Sequence, residues 1–542
     1  MAFINSLNLI NKLKFLISTK IRNVYLTSSL YNNKISKIEN LNLVYRPNPY
    51  TFDCLVKFNK KKKNIDIYKT KNIWDSYNLN YKEYKNLNNF FWLFSIDLKS
   101  STKITQSIIE DWINKNQDYN SKSWELDILS KRIISWISNS KLTYEDGSEE
   151  YKKKFNFFVR KQVNHLKNEI NRSELVDDKL IGCTAIILSG ISYQDNTYLT
   201  YGLNLLNKFI NYSLNSEGFP KSRSFRQLAF YLKYLVLIRE LLKDSQNEIP
   251  EYLDETIYYL GQAYKLFLHG TKKTLLFNGN NEMDNSEFDE YLKIHDYKFN
   301  CKKNEIAGYI YLKNNKNLLV VDAGNPPGKK FSQNYQSGTL SFEFFYLDNK
   351  IITNSGYFQR NKHQLNIVSR SSVAHSTLII DNSSISKFSR DKFGKEYTDS
   401  TFKVFDKKIS YNKNFWIIEV SHDGYLKNYG VIHNRKLEFS TENFCLKGTD
   451  TLIKKKNFKT SDFEIRFHLA PGAKLIKTTD GKSILIEFEN SGWKFSCNEN
   501  LIDYETGLYF GRKNNYVENN NFFVKGVTNP ENQRICWEIT KI

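Results

Sequence analysis

At 542 residues the chain is long enough for two or more domains with proper cores. Its 40% hydrophobic and 25% charged residues exclude a largely disordered chain, and six scattered cysteines without a Cys-x-x-Cys pair exclude a disulfide framework. A formal net charge of +21 draws polyanions, and it does not by itself choose among nucleic acid, anionic lipid and acidic polysaccharide.

In chain order, residues 1–85 read as an irregular N-terminal extension. Basic residues (Lys12, Lys14, Lys20, Arg22) interrupt the apolar stretch of residues 1–29, which makes it a poor signal peptide and an amphipathic segment instead. The run Lys60 to Lys63 reads as a solvated loop, and Pro47 and Pro49 break any helix nearby. No segment reaches the ~18–20 consecutive apolar residues of a membrane span.

Residues 86–305 have helical texture. Ile108, Ile109, Trp112 and Ile113 share one face, as do Ile133, Trp136 and Ile137, then Leu203, Leu206, Phe209 and Ile210, then Leu228, Tyr231, Leu232, Leu235 and Ile238. Such amphipathic helices pack as an all-α layer. Near Gly308 the period changes. Tyr309–Leu312, Leu318–Asp322, Leu340–Tyr346, Thr377–Asp381, Phe415–Val420, Arg466–Leu469, Ile484–Glu489 and Ile535–Ile539 read as strands separated by Gly, Asn and Asp turns. Helices first and strands afterwards predict two domains, the second a β-sandwich over 306–542.

Several motifs carry chemistry. They are Asn164-His165, Asn215-Ser-Glu-Gly-Phe-Pro-Lys-Ser-Arg-Ser224, Phe267-Leu-His-Gly-Thr271, Leu276-Phe-Asn-Gly279, Asp322-Ala-Gly-Asn-Pro-Pro327, Ser337-Gly-Thr-Leu-Ser-Phe-Glu343, Asn354-Ser-Gly-Tyr357, Arg370 with Ala374-His-Ser-Thr377, and His422-Asp-Gly-Tyr425. Their order resembles the heparinase II/III-like polysaccharide lyases, closest to uncharacterised alphaproteobacterial members. The resemblance implies an α+β multidomain chain, an incomplete α/α toroid followed by an antiparallel β-sandwich. It also implies β-elimination on a uronic-acid-containing polysaccharide in the periplasm or cell envelope.

That reaction neutralises the uronate carboxylate, removes the adjacent proton and protonates the leaving oxygen. By resemblance Asn164, His165, Tyr357 and His375 are catalytic, and Arg223, Arg370 and Gln336 bind substrate. The family's toroid Tyr falls on Arg226 or Gln227 here, and Tyr231, one turn on, fits a packed apolar face. Metal-binding members of the family carry a divalent metal at the position of His375, but here the usual His and Asp companions are replaced by Gln336 and Gly338, so the metal site reads as degraded and no cofactor is expected. Glu343 reads as structural, paired with an arginine. The departures leave an alternative open: a catalytically degenerate glycan-binding or envelope-assembly protein. No motif for specific nucleic-acid binding is found.

Overall fold

The computed structural model describes residues 13, 16–39, 42–56, 62–68, 73–75, 79–269, 274–347, 349–360, 363–390, 396–399, 401–497, 501–512 and 515–542. Lys60, Lys61, Gly270 and Thr271 lie outside them, as does most of 1–15. The chain divides into two compact units. One comprises 1–213, 230–258 and 286–298, the other 214–229, 259–285 and 299–542. Two stretches from the helical part of the sequence, 214–229 and 259–285, thus belong with the strands.

In the first unit, helices Thr102–Lys115, Leu126–Ser138, Glu149–Glu169, Val176–Ser192 and Asn196–Ser213 follow one another. Trp112, Trp124 and Trp136 fill its core, while half-buried Trp92 donates its indole N–H to the Leu87 carbonyl. Tyr231 is also core, edge-on to Phe209 at 5.2 Å. The stretch read as irregular carries helix over 16–26 and over Ser29–Ile35, the latter capped by the Ser28 side chain on the Tyr31 N–H. Pro49 starts a 3-10 turn, where its missing N–H costs nothing.

In the second unit, every strand pair among the described residues is antiparallel. A five-stranded sheet runs in chain order from Glu305–Ile306 to Asn349–Ile352. A four-stranded sheet orders Ile502–Tyr509, Val517–Val527, Asp462–His468 and Leu378–Ile380. Thr353 bridges to His468 between the two. An eight-stranded sheet has Val431–Ser440 and Cys445–Lys454 near its middle, flanked by Phe415–His422 and Gln533–Lys541. Phe342 stacks on Trp537 at 5.8 Å and Phe344 meets Phe439 at 5.2 Å, so the core lies between facing sheets.

Glu343 is fully buried, and its partner is Lys350 at 3.1 Å rather than an arginine. The reason is local: Lys350 lies on the neighbouring strand, where the pairing shifts register beside Phe344 and Phe345. The carboxylate also accepts from the Leu276 and Asn354 amides and the Thr353 hydroxyl. Glu343 therefore fixes the loops from which the motif residues project.

Candidate functional site

Asn164 and His165 lie on the helix Glu149–Glu169, started by the Ser148 cap with Glu149 and Glu150 in its first turn. His165 falls among Phe158, Val159, Leu166 and other buried residues, and is 2% exposed. Its Nδ1 is 2.8 Å from the Tyr31 hydroxyl, and Trp124 meets the ring edge-on. Burial, reinforced by Arg22 and Arg132, pulls the imidazole down to about 3, and burial pushes the Tyr31 phenol up to about 12. Asn164 donates to the Ile35 carbonyl at 2.9 Å and accepts from the Tyr198 hydroxyl at 2.8 Å.

The Tyr31 and Ile35 contacts belong to a longer strap. Arg22 pairs with Glu169, Arg160 donates to the Glu39 carbonyl, and Asn156 reaches Asn42 at 3.4 Å. As residue numbers rise along the N-terminal segment, they fall along the helix. The segment runs antiparallel to the helix and covers the Asn164-His165 face.

In the second unit Arg223 sits at φ +61 and aims its guanidinium into a buried cage. It bonds Asp322 at 2.6 Å and the Ala307 carbonyl at 3.1 Å, and lies 4.4 Å from the centre of the Tyr309 ring. A Cβ on Gly324 would fall 2.3 Å from its Nη2, so the glycine of the Asp322-Ala-Gly motif makes room for the arginine. Burial lowers the guanidinium's proton affinity, but the Asp322 carboxylate more than restores it.

Asn278 continues the chain of contacts, donating to Asp322 and Tyr309 and accepting from the Gln336 amide N–H. Gln336 has its whole side-chain amide engaged: Oε1 accepts from Gly279, and Nε2 donates to the Gly356 and Ser369 carbonyls. Next to Gly356, Tyr357 donates its hydroxyl to Asn334 at 2.9 Å. Burial raises the Tyr357 phenol above its ordinary value despite opposing charge from Arg370 and Arg226. Arg370 contacts the Tyr335 and Ser332 carbonyls, Thr398 and Glu396. Arg223 and Gln336 are thus linked through Asp322 and Asn278, Arg370 holds the neighbouring Tyr335 carbonyl, and Tyr357 follows the Gly356 carbonyl that Gln336 binds.

His375 borders these residues and differs from them. It is 1% exposed, neither ring nitrogen has a hydrogen-bond partner, and burial pulls it down to about 3. A Cβ on Gly338 would sit 2.8 Å from its Nδ1. The Ser337 and Ser341 hydroxyls and Asn354 Nδ2 are likewise buried without partners.

These residues do not fit a divalent metal. Gln336 is spent on backbone groups, Gly338 has no side chain, and the remaining neighbours supply neutral hydroxyl and amide groups. His468 directs Nδ1 to Ser355 and Nε2 to the Val373 carbonyl. Among the described residues no group of three or more His, Cys, Asp or Glu could hold a metal ion.

Residues 301–538 match the family model Heparinase II/III-like, C-terminal. The sheet-rich half is thus similar to the C-terminal domain of that family. A longer stretch of 457 residues is 22% identical to FtsZ-localized protein C of Caulobacter vibrioides, covering 80% of this chain and 77% of that one. Among solved structures, Heparinase III matches at TM-score 0.68 and 14% identity, over 94% of this chain and 89% of that one. A mutant of heparan sulfate lyase HepC from Pedobacter heparinus matches at 0.67 and 14%, over 86% and 78%. At these identities the structures establish the fold: a helical N-terminal region followed by an antiparallel sheet-rich domain, the toroid and β-sandwich of heparinase III.

Asp322, Asn278, Tyr309 and Asn334, which are not among the site residues the motifs nominate, hold these loops together. Asp322 and Asn278 stood inside motifs already singled out, and the signal was their position one or two residues before a glycine in a turn. Tyr31 carried no local signal, because its contact with His165 spans 134 residues.

Proposed function

We propose that this chain uses the lyase fold to bind an acidic, uronate-containing polysaccharide without cleaving it. The observation that carries the reading is the state of the lyase-type groups. A general base must reach its proton and must titrate near the working pH. His165 and His375 are enclosed and titrate near 3. Tyr357 is 4% exposed and shifted upward, away from phenolate, and Asn164 has both ends of its amide occupied. The strongly positive chain supplies the attraction for a polyanion.

Half-buried Arg226 and Asn334, beside Tyr357, supply guanidinium and amide donors for a carboxylate. Heparin, chondroitin sulfate and alginate titrated into the protein test this. Arg226→Ala or Asn334→Ala weakens binding of the preferred glycan about tenfold, the worth of one charge-assisted hydrogen bond. Binding that vanishes at moderate salt and ignores both substitutions contradicts the proposal.

The Caulobacter relative, named for its localisation with FtsZ, favours a second reading in which glycan binding serves envelope assembly where FtsZ localises. Co-sedimentation of this chain with FtsZ polymers tests it. Retention in the supernatant sinks it.

A further inference from the structure

The helix over 16–26 is docked by one side and bare on the other. Leu26 is buried, Tyr25 packs against Tyr31, and Arg22 reaches Glu169. Leu13, Leu16, Ile17, Ile21 and Val24 recur at helical spacing and are 59%, 49%, 49%, 65% and 70% exposed. At 100° per residue they cover a stripe about 140° wide, turned away from the docked side. Leu30, 76% exposed, begins the next helical segment with a further bare apolar side chain. Isolated exposed leucines need no explanation, but a continuous stripe of this kind does.

Charge indicates what covers it. Residues 1–38 contain six basic residues (Lys12, Lys14, Lys20, Arg22, Lys34, Lys37) and no Asp or Glu. Lys20, Lys34 and Lys37 are exposed. Lys20 falls within the stripe's arc, where a lysine lays its methylenes along apolar surface and lifts its ammonium to the headgroups. No described helix is long and apolar enough to cross a membrane, so the stripe is suited to lying in an interface. Apolar residues on one face, an excess of cations and no anions match the requirements of an anionic bilayer surface. A protein groove would accept the apolar stripe without needing the cations.

We propose that the helix over 16–26 is an interfacial anchor that seats the helical unit on an anionic membrane, with Leu16, Ile17, Ile21 and Val24 inserted at the acyl boundary. This proposal does not depend on glycan binding.

The test is co-sedimentation of the full chain with vesicles of phosphatidylcholine alone or mixed with phosphatidylglycerol. The protein is expected to pellet with the mixed vesicles and stay in solution with the neutral ones. The Ile17→Ser, Ile21→Ser, Val24→Ser triple variant is expected to bind about a hundredfold more weakly, and Lys20→Glu about fivefold. Because these side chains are exposed, the melting temperature of each variant should match the parent, which separates lost binding from lost fold. Failure of the parent to pellet overturns the proposal. So does equal pelleting by the triple variant, which would reduce the effect to charge. Self-association in solution that the triple variant abolishes, without vesicle binding, assigns the stripe to a second copy and also overturns it. Glycan titrations of the triple variant should be unchanged.

Discussion

Two buried histidine sites in the sheet-rich domain show opposite solutions to the same problem. At the middle of the eight-stranded sheet, His433 Nε2 lies 2.6 Å from Asp450, and its Nδ1 lies 3.2 Å from His422 Nε2. Arg435 grips Asp450 at 2.7 and 3.1 Å, and Trp537 donates to it at 2.8 Å. Gly448, whose Cβ would overlap the Trp537 ring, leaves the space that the indole occupies. Burial pushes the Asp450 carboxyl up, but Arg435 and His433 outweigh it and hold it well below its usual range. Each of these groups has its partners. At His375 both ring nitrogens and three neighbouring polar groups have none. A satisfied buried network is architecture, whereas an orphaned imidazole among neutral groups carries the cost of desolvation with no hydrogen bond to offset it.

The sharpest way to break this contrast is Asp450→Ala. It leaves the Arg435 charge buried and uncompensated, and should cost about 3–5 kcal/mol in denaturant unfolding. A cost below about 1 kcal/mol would show that the network carries no such weight. Next is the paired substitution by leucine. His433→Leu takes one hydrogen bond from Asp450 and leaves His422 Nε2 buried without its partner, and should cost about 2–3 kcal/mol, whereas His375→Leu removes an unsatisfied group and should be neutral or stabilise by about 1 kcal/mol. Equal losses would erase the distinction between the two sites. Gly338→Ala, which drives a methyl against the His375 ring, should cost about 1–3 kcal/mol by overpacking.

The contrast also has a pH slope. His165, His375 and His468 titrate near 3 when folded and near 6.5 when unfolded. Their stabilising contribution is fully present above about pH 6.5. It declines as the pH falls toward 3, because the unfolded chain takes up protons that the folded one refuses. Denaturant midpoints measured downward from neutrality should fall, and His375→Leu should flatten the slope by one histidine's share.

The same contrast explains what the sequence discloses. Apolar periodicity places the helices with Ile108–Ile113 and Ile133–Ile137 and the strands from Tyr309–Leu312 to Ile535–Ile539, because one buried face imposes its period on the residues. The motif order carries the family. Lys350 as the partner of Glu343 was hidden, because strand register sets that pairing and local composition does not. The cover over Asn164 and His165 was hidden for a similar reason: Tyr31 and Ile35 reach them across more than a hundred residues. Enclosure of a side chain is a property of the packed chain, and no motif records it.

Closed lyase-type groups and retained glycan binding are the two halves of the proposal. The most direct measurement follows the ultraviolet absorbance of unsaturated uronate during long incubation of concentrated protein with the acidic polysaccharide it binds best. The expected result is binding with a flat trace, identical for the parent and for His165→Ala and Tyr357→Phe. A signal that grows with protein concentration and disappears in either variant would contradict it.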